Sequence, residues 1–177
     1  MKHNDASHLL LRAAQELGHE ARTRPGDHAA LKLWLRLLAC TTQIETEIRR
    51  RLRETFGITL PRFDYMAQLY RFPEGLKMRD LSSHLMVSGG SVTGLTDELE
   101  RDGIVVRESS PTDRRAWILR LTPEGRSGFE AMAKAHEQWV RELFASVAPD
   151  GLQQLYTQLG ELRVGLVRNH QTGDLIP

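Results

Sequence analysis

The fold turns on "VSGGSVTGLTDELERDGIVVR", residues 87–107, where a helical period gives way to that of a strand. Ser88 suits an N-cap, because its hydroxyl can accept from an amide of the first turn. Val92, Leu95 and Leu99 recur at steps of three and four and so share one face of a helix. Gly103 stops that helix. Just upstream, "LKMRDLSSHLMV" (residues 76–87) carries a second short helical pattern, with Leu81 and Leu85 inward. Only Val87 and Ser88 separate the two patterns, which predicts a helix-turn-helix unit. Downstream, residues 104–108 and 116–121 read as paired strands, with Trp117, Leu119 and Leu121 on one face and Ile118 and Arg120 on the other. Their loop ends in the adjacent pair Arg114 and Arg115. Thr122 then caps a new helix that starts at Pro123.

Working outward, the flanks are helical. Residues 7–21 read as a short helix closed by the breaker "TRPGD". Residues 29–56 form a long helix whose stripe is Leu37, Thr41, Ile44, Ile48 and Leu52, with Gly57 as its C-terminal cap. Pro61 opens the next helix, with Phe63, Met66, Ala67 and Tyr70 inward. Beyond the hairpin, Phe129, Met132, His136, Val140, Leu143 and Val147 make one stripe. Leu152, Leu155, Leu159, Leu162 and Leu166 make the last, spaced as in a coiled-coil seam. The expected fold class is mostly α: a winged helix-turn-helix with a two-stranded β wing, set between N- and C-terminal dimerisation helices. Its expected parts are an N-terminal extension (1–26), a long dimerisation-side helix (27–58), the winged module (59–126), C-terminal dimerisation helices (127–170) and a tail (171–177). The outer stripes hold more apolar surface than the small central module needs, so a homodimer is expected.

Composition excludes several classes. The 177 residues are 40% hydrophobic and 27% charged, with a formal net charge of +1. Neither disorder nor a membrane span is expected. Cys40 is the one cysteine, which rules out an internal disulfide framework and points to a reducing, cytoplasmic setting. Its apolar helical surroundings predict a buried structural thiol rather than a redox sensor. The seven histidines show no metal-ligand spacing, and no phosphate loop, nucleophile elbow or other enzyme pattern is present, so no metal, cofactor or catalytic residue is expected.

The chain resembles the MarR-type winged-helix transcriptional regulators of bacteria and archaea, from about Leu31 to Leu166. "DRRAWILRLTPEGR" (residues 113–126) matches the family's wing: an acid, two basic residues, an alternating strand, Leu-Thr, then a glycine three residues on. "VSGGSVTGLTDELERDGIVVR" matches its recognition helix and exit into the wing. The resemblance implies a two-fold dimer on double-stranded palindromic DNA, with one recognition helix in each major groove and one wing along the minor groove. By position, residues 88–96 would face the DNA, and Asp113 and Arg115 are the wing's matching acid and arginine.

The chemistry of these residues fits. A guanidinium at Arg115 suits a narrow, electronegative minor groove. Arg114 reaches a phosphate, while Asp113 braces the loop. On the recognition helix Ser88, Gly89, Gly90, Ser91, Thr93 and Gly94 offer almost no long side chains, and many family members carry an arginine where Gly94 stands. Bidentate reading of guanine is therefore not expected. Close approach of helix amides and hydroxyls to the backbone is. Residues 77–126 carry eight basic and eight acidic side chains, so placement rather than net charge must favour DNA. The run "RRRLR" (residues 49–53) reads as a solvated helix face. A winged helix used only for protein interaction, or a redox regulator acting through Cys40, is the rival reading.

Family members often release DNA when a small aromatic compound binds. Trp34, Leu38, Arg62, Phe63, Met66 and Tyr70 are the candidate lining, with Trp139 and Phe144 as further aromatic surface and Arg62 as partner for a carboxylate or phosphate. The stretch from Leu60 to Leu95 is most similar to regulators of hydroxycinnamate and other aromatic-acid catabolism, which implies an aromatic acid or its CoA thioester as effector.

Overall fold

A computed structural model describes residues 29–85, 89–109 and 117–173, with side chains to residue 168. Its elements are α1 (Ala29–Phe56), α2 (Leu60–Arg71), β1 (Leu76–Lys77), α3 (Met78–Leu85), α4 (Gly89–Arg101), β2 (Val105–Ser109), β3 (Trp117–Leu121), α5 (Pro123–Leu143) and α6 (Pro149–Gly173). This is the mostly helical winged fold that the periodicities predict. The described chain divides into two compact units, one ending at Ala135 and one beginning at His136.

In the first unit the helix-turn-helix pair α3 and α4 packs on α2 through Leu81, Val92, Leu99, Tyr65, Met66 and Leu69, all fully or almost fully buried. Tyr65 and Leu69 were not expected there. The helical stripe read from Phe63, Met66 and Tyr70 turns by one position, so that Tyr65 enters the core and Tyr70 is half-exposed. Gly57 and Gly103, at φ of 66° and 72°, close α1 and α4 in the left-handed conformation that glycine adopts without a Cβ penalty.

The sheet has three strands rather than the hairpin's two, in the order β1-β3-β2. Leu76 and Lys77, read as the start of a helix, instead pair antiparallel with Leu119 and Ile118. Gly75 causes this. At φ 86° it turns the chain so close to β3 that a Cβ would lie 2.4 Å from Ile118 Cγ2 and 2.9 Å from the Leu119 carbonyl oxygen. The hairpin register runs from Val105 opposite Leu121 to Ser109 opposite Trp117. Leu119 is the fully buried residue of β3. Trp117, expected to hold the strands with it, is 49% exposed at the outer end of the described register.

Thr122 joins three elements. Its hydroxyl donates to the Gly103 carbonyl (2.8 Å) and accepts from the Gly125 amide (3.0 Å), and its own amide donates to Ile104 (3.0 Å). Gly125 is required by contact, since a Cβ there would sit 2.2 Å from the Ile104 carbonyl oxygen.

Two apolar surfaces remain open within their own units. The N-terminal half of α1 exposes Leu31, Leu33, Trp34 and Leu38, and among its described residues only Ile48 and Leu52 are buried. Cys40, expected to be a buried thiol, is exposed for the same reason: the early turns of α1 bury nothing. In the second unit, α6 exposes the whole seam of Leu152, Leu155, Leu159, Leu162 and Leu166, from 37% to 53% each.

Candidate nucleic-acid interface

The α4 helix has two distinct faces. Val92, Thr96 and Leu99 point into the core. Gly89, Gly90, Ser91, Thr93 and Gly94 are exposed on the other side. Thr96 was expected toward DNA but is fully buried, where the Tyr65 hydroxyl lies 2.7 Å from its Oγ1 and Oγ1 donates to the Val92 carbonyl (2.7 Å). Burial pushes the Tyr65 phenol up to about 12.

The three glycines have no packing role among the described residues. A Cβ built on Gly89, Gly90 or Gly94 meets nothing within 4 Å. Glycine costs a helix interior about 1 kcal/mol relative to alanine. Among the described residues nothing offsets that cost at Gly94, and the exposed side of α4 is left smooth and open there. Thr93 donates its hydroxyl to the Gly89 carbonyl (3.0 Å), which leaves its oxygen lone pairs able to accept but not its proton to give. Ser88, Asp113, Arg114 and Arg115 lie outside the described residues. The last three fall between Ser109 and Trp117, the terminal pair of the hairpin register.

The acids of this region are largely used internally. Arg107 on β2 donates to Asp97 and lies 3.0 Å from Glu100, both on α4, so one guanidinium ties the hairpin strand to the second helix of the pair. Arg62 pairs with Asp102, just past the end of α4, and Arg120 lies 3.4 Å from Glu108 across the hairpin. The equal tally of charges conceals this arrangement. None of these pairs was read from sequence, since each joins residues on different elements.

The basic run on α1 is a solvated, self-paired face. Arg49 pairs with Glu45 (3.1 Å), Arg50 with Glu47 (2.6 Å) and Glu54, and Arg51 with Glu47 (2.7 Å). Hydrogen bonds from Arg50 and Arg51 hold the Glu47 carboxyl down to about 2.

The effector candidates separate into three groups. Arg62 and Met66 line a cleft of 480 Å³ with apolar walls from Phe56, Ile58, Leu99, Ile104 and Met132, and with Asp102 opposite Arg62. Phe63 and Tyr70 instead belong to a packed aromatic cluster on Phe129, at ring-centroid distances of 5.4 and 5.0 Å. The Tyr70 hydroxyl donates to Glu130 (3.0 Å), and Arg126 stacks 4.6 Å from its ring centroid. Trp34 and Leu38 stand on the open part of α1 and take no part in the cleft. The cleft thus recruits Leu99, Asp102 and Ile104 from α4 and its exit, which helical spacing on α2 could not indicate. Among the described residues there is no cluster of His, Cys, Asp and Glu able to hold a metal ion, and no helix long and apolar enough to cross a membrane.

A helix-turn-helix with a smooth exposed second helix and an adjoining β hairpin is the architecture of winged-helix transcriptional regulators. The MarR family model matches residues 56–116. A MarR family transcriptional regulator from Silicibacter pomeroyi is 30% identical, with a TM-score of 0.69 over 81% of this chain and 99% of that one. The chain belongs to the MarR family. It is 32% identical over 107 residues to the transcriptional activatory protein BadR of Rhodopseudomonas palustris, covering 59% of this chain and 61% of that protein. The fold is also that of a Streptomyces coelicolor family member solved in complex with DNA, at 23% identity, a TM-score of 0.70 and coverage of 82% of this chain and 93% of that one. Of the curated relatives near 30% identity, the chain spans less than two thirds of the length.

Proposed function

We propose that the protein is a cytoplasmic, sequence-specific regulator that binds palindromic double-stranded DNA as a homodimer and is released from it by a small aromatic acid or its CoA thioester. The observation that carries the reading is the exposed face of Gly89, Gly90 and Gly94, where an added Cβ would meet nothing within 4 Å among the described residues. That face admits a phosphate backbone close to the helix N-terminus, where amides and the helix dipole favour anions. Arg115 then inserts into the minor groove, Arg114 meets a phosphate and Asp113 holds the loop. The leucine seam of α6 and the open surface of α1 are the surfaces for a second copy. The apolar cleft, with Arg62 within it, suits an aromatic group that brings an anion to the guanidinium, the carboxylate of the free acid or a phosphate of the thioester's CoA.

The reading is a repressor. The similarity to an activatory protein favours the opposite sign, and a reporter driven by the selected operator separates the two. The direct test is selection of a palindrome from random DNA, followed by salt-matched binding of Arg115→Ala. A loss of about 1 to 3 kcal/mol with an unchanged melt is expected. Unchanged affinity removes the wing from the interface, and failure to select any DNA favours a protein-interaction module.

A further inference from the structure

Two ties join α2 to the recognition helix, at different points along it. In the core, Thr96 donates to the Val92 carbonyl, so the Tyr65 hydroxyl donates to Thr96, with both side chains fully enclosed. At the far end, Arg62 donates to Asp102, the first residue after α4. Asp102 lies six residues beyond Thr96, about 9 Å along the axis, and the glycine face begins about 10 Å in the other direction. A rotation about Thr96 therefore moves the two ends by similar distances in opposite senses.

The outer tie is built to be exchanged. Arg62 lines the cleft, yet its buried Nε has no hydrogen-bond partner among the described residues. A guanidinium presents a planar fork that matches both oxygens of a carboxylate, and Asp102 engages it through one nitrogen only. The two side chains are 26% and 45% exposed, so the pair is weak enough for a ligand to open and Asp102 is hydrated once released. The inner tie is shielded from such competition.

We propose that Arg62–Asp102 is a latch on the recognition helix: an anionic group in the cleft takes Arg62 from Asp102, and α4 then turns about the Tyr65–Thr96 contact and withdraws its glycine face from DNA. This rests on the effector reading above. A ligand shifts an equilibrium only by its differential affinity for the two states, and here the differential contact is the guanidinium that the latched state occupies.

Asp102→Ala tests the latch without ligand, because the sign is diagnostic. Removing an acid near a polyanion should by charge alone strengthen DNA binding. Loss of the latch instead weakens it, by about fivefold or more. The charge-exchanged pair, Arg62→Asp with Asp102→Arg, is expected to recover operator affinity. The ligand arm titrates the full-length protein and the Asp102→Ala variant with benzoate, 4-hydroxycinnamate and the CoA thioester of each. A probe that binds the wild type should bind the variant about fivefold more tightly, since its competitor is gone. Operator affinity that is equal or higher in Asp102→Ala overturns the latch whatever the probes do. Equal probe affinity in the two proteins overturns it while leaving the effector reading intact. If no probe binds the wild type, the effector reading falls and with it the anion as opener, even where Asp102→Ala weakens operator binding.

Discussion

Gly94→Ala should make the protein more stable and a poorer DNA binder at once. Gly94 lies inside α4, exposed, with nothing within 4 Å of a built Cβ. Alanine there gains about 1 kcal/mol of helix propensity with no clash to oppose it. For a protein of this size that is a rise in melting temperature of roughly 2 to 4 °C. The same methyl projects about 1.5 Å from the backbone. Holding the helix back by that distance lengthens an amide-to-phosphate hydrogen bond from about 2.9 Å beyond its useful limit. Losing one charge-assisted bond costs about 1.5 to 3 kcal/mol, so operator affinity should fall at least tenfold. Thermal unfolding and fluorescence anisotropy on the selected operator, at one fixed salt concentration, measure the two effects. Gly128→Ala is the control, since Gly128 is likewise exposed with nothing within 4 Å of a built Cβ, but lies on α5 at the wall of the cleft, away from the glycine face, and the assay contains no effector. It should gain the stability and keep the affinity. If Gly94→Ala behaves like Gly128→Ala in both assays, the smooth face is not the contact surface.

Gly125→Ala should lower stability by about 1 to 3 kcal/mol, because its methyl drives into the Ile104 carbonyl, and an unchanged urea midpoint would refute the contact. Of the three tyrosines, Tyr65 should titrate near 12 in an alkaline absorbance titration, and Tyr65→Phe should remove that late component. Its folded pKa is raised, so its contribution to stability is complete below the unfolded value near 10 and is lost as pH rises through 12; an alkaline titration that Tyr65→Phe leaves unchanged near 12 contradicts its burial. Ending the chain before Pro149 removes the leucine seam and should leave no dimer in light scattering, whereas a truncated dimer would place the interface elsewhere.

The fold was legible because its signals are local. A helical stripe ending at Gly103 and Thr122-Pro123 at the restart each act within a few residues, and the elements they delimit are found. The third strand was not legible: Leu76 and Lys77 have no strand pattern of their own and pair only because Gly75 turns them against β3. Burial was misjudged wherever it depended on distant partners. Thr96 looks like a hydroxyl offered outward until Tyr65 reaches it from 31 residues away. Cys40 sits in apolar sequence, yet α1 has little there to cover it. The candidate effector residues on α2 were read from one helix face, and the cleft uses only Arg62 and Met66 of them because its other walls come from α1, α4 and α5.

Thr122 binds the end of α4, the base of the wing and the first turn of α5 through one hydroxyl and one amide, over a contact that only glycine at position 125 allows. Local unfolding of any one of these elements therefore breaks the bonds of the others. In hydrogen exchange the Thr122 and Gly125 amides should open together, with one shared free energy, as a single cooperative unit. Strands anchored in this way are set in place by the folding of the helix behind them, so the direction in which β2 and β3 leave the helices is inherited from the scaffold and is not set separately.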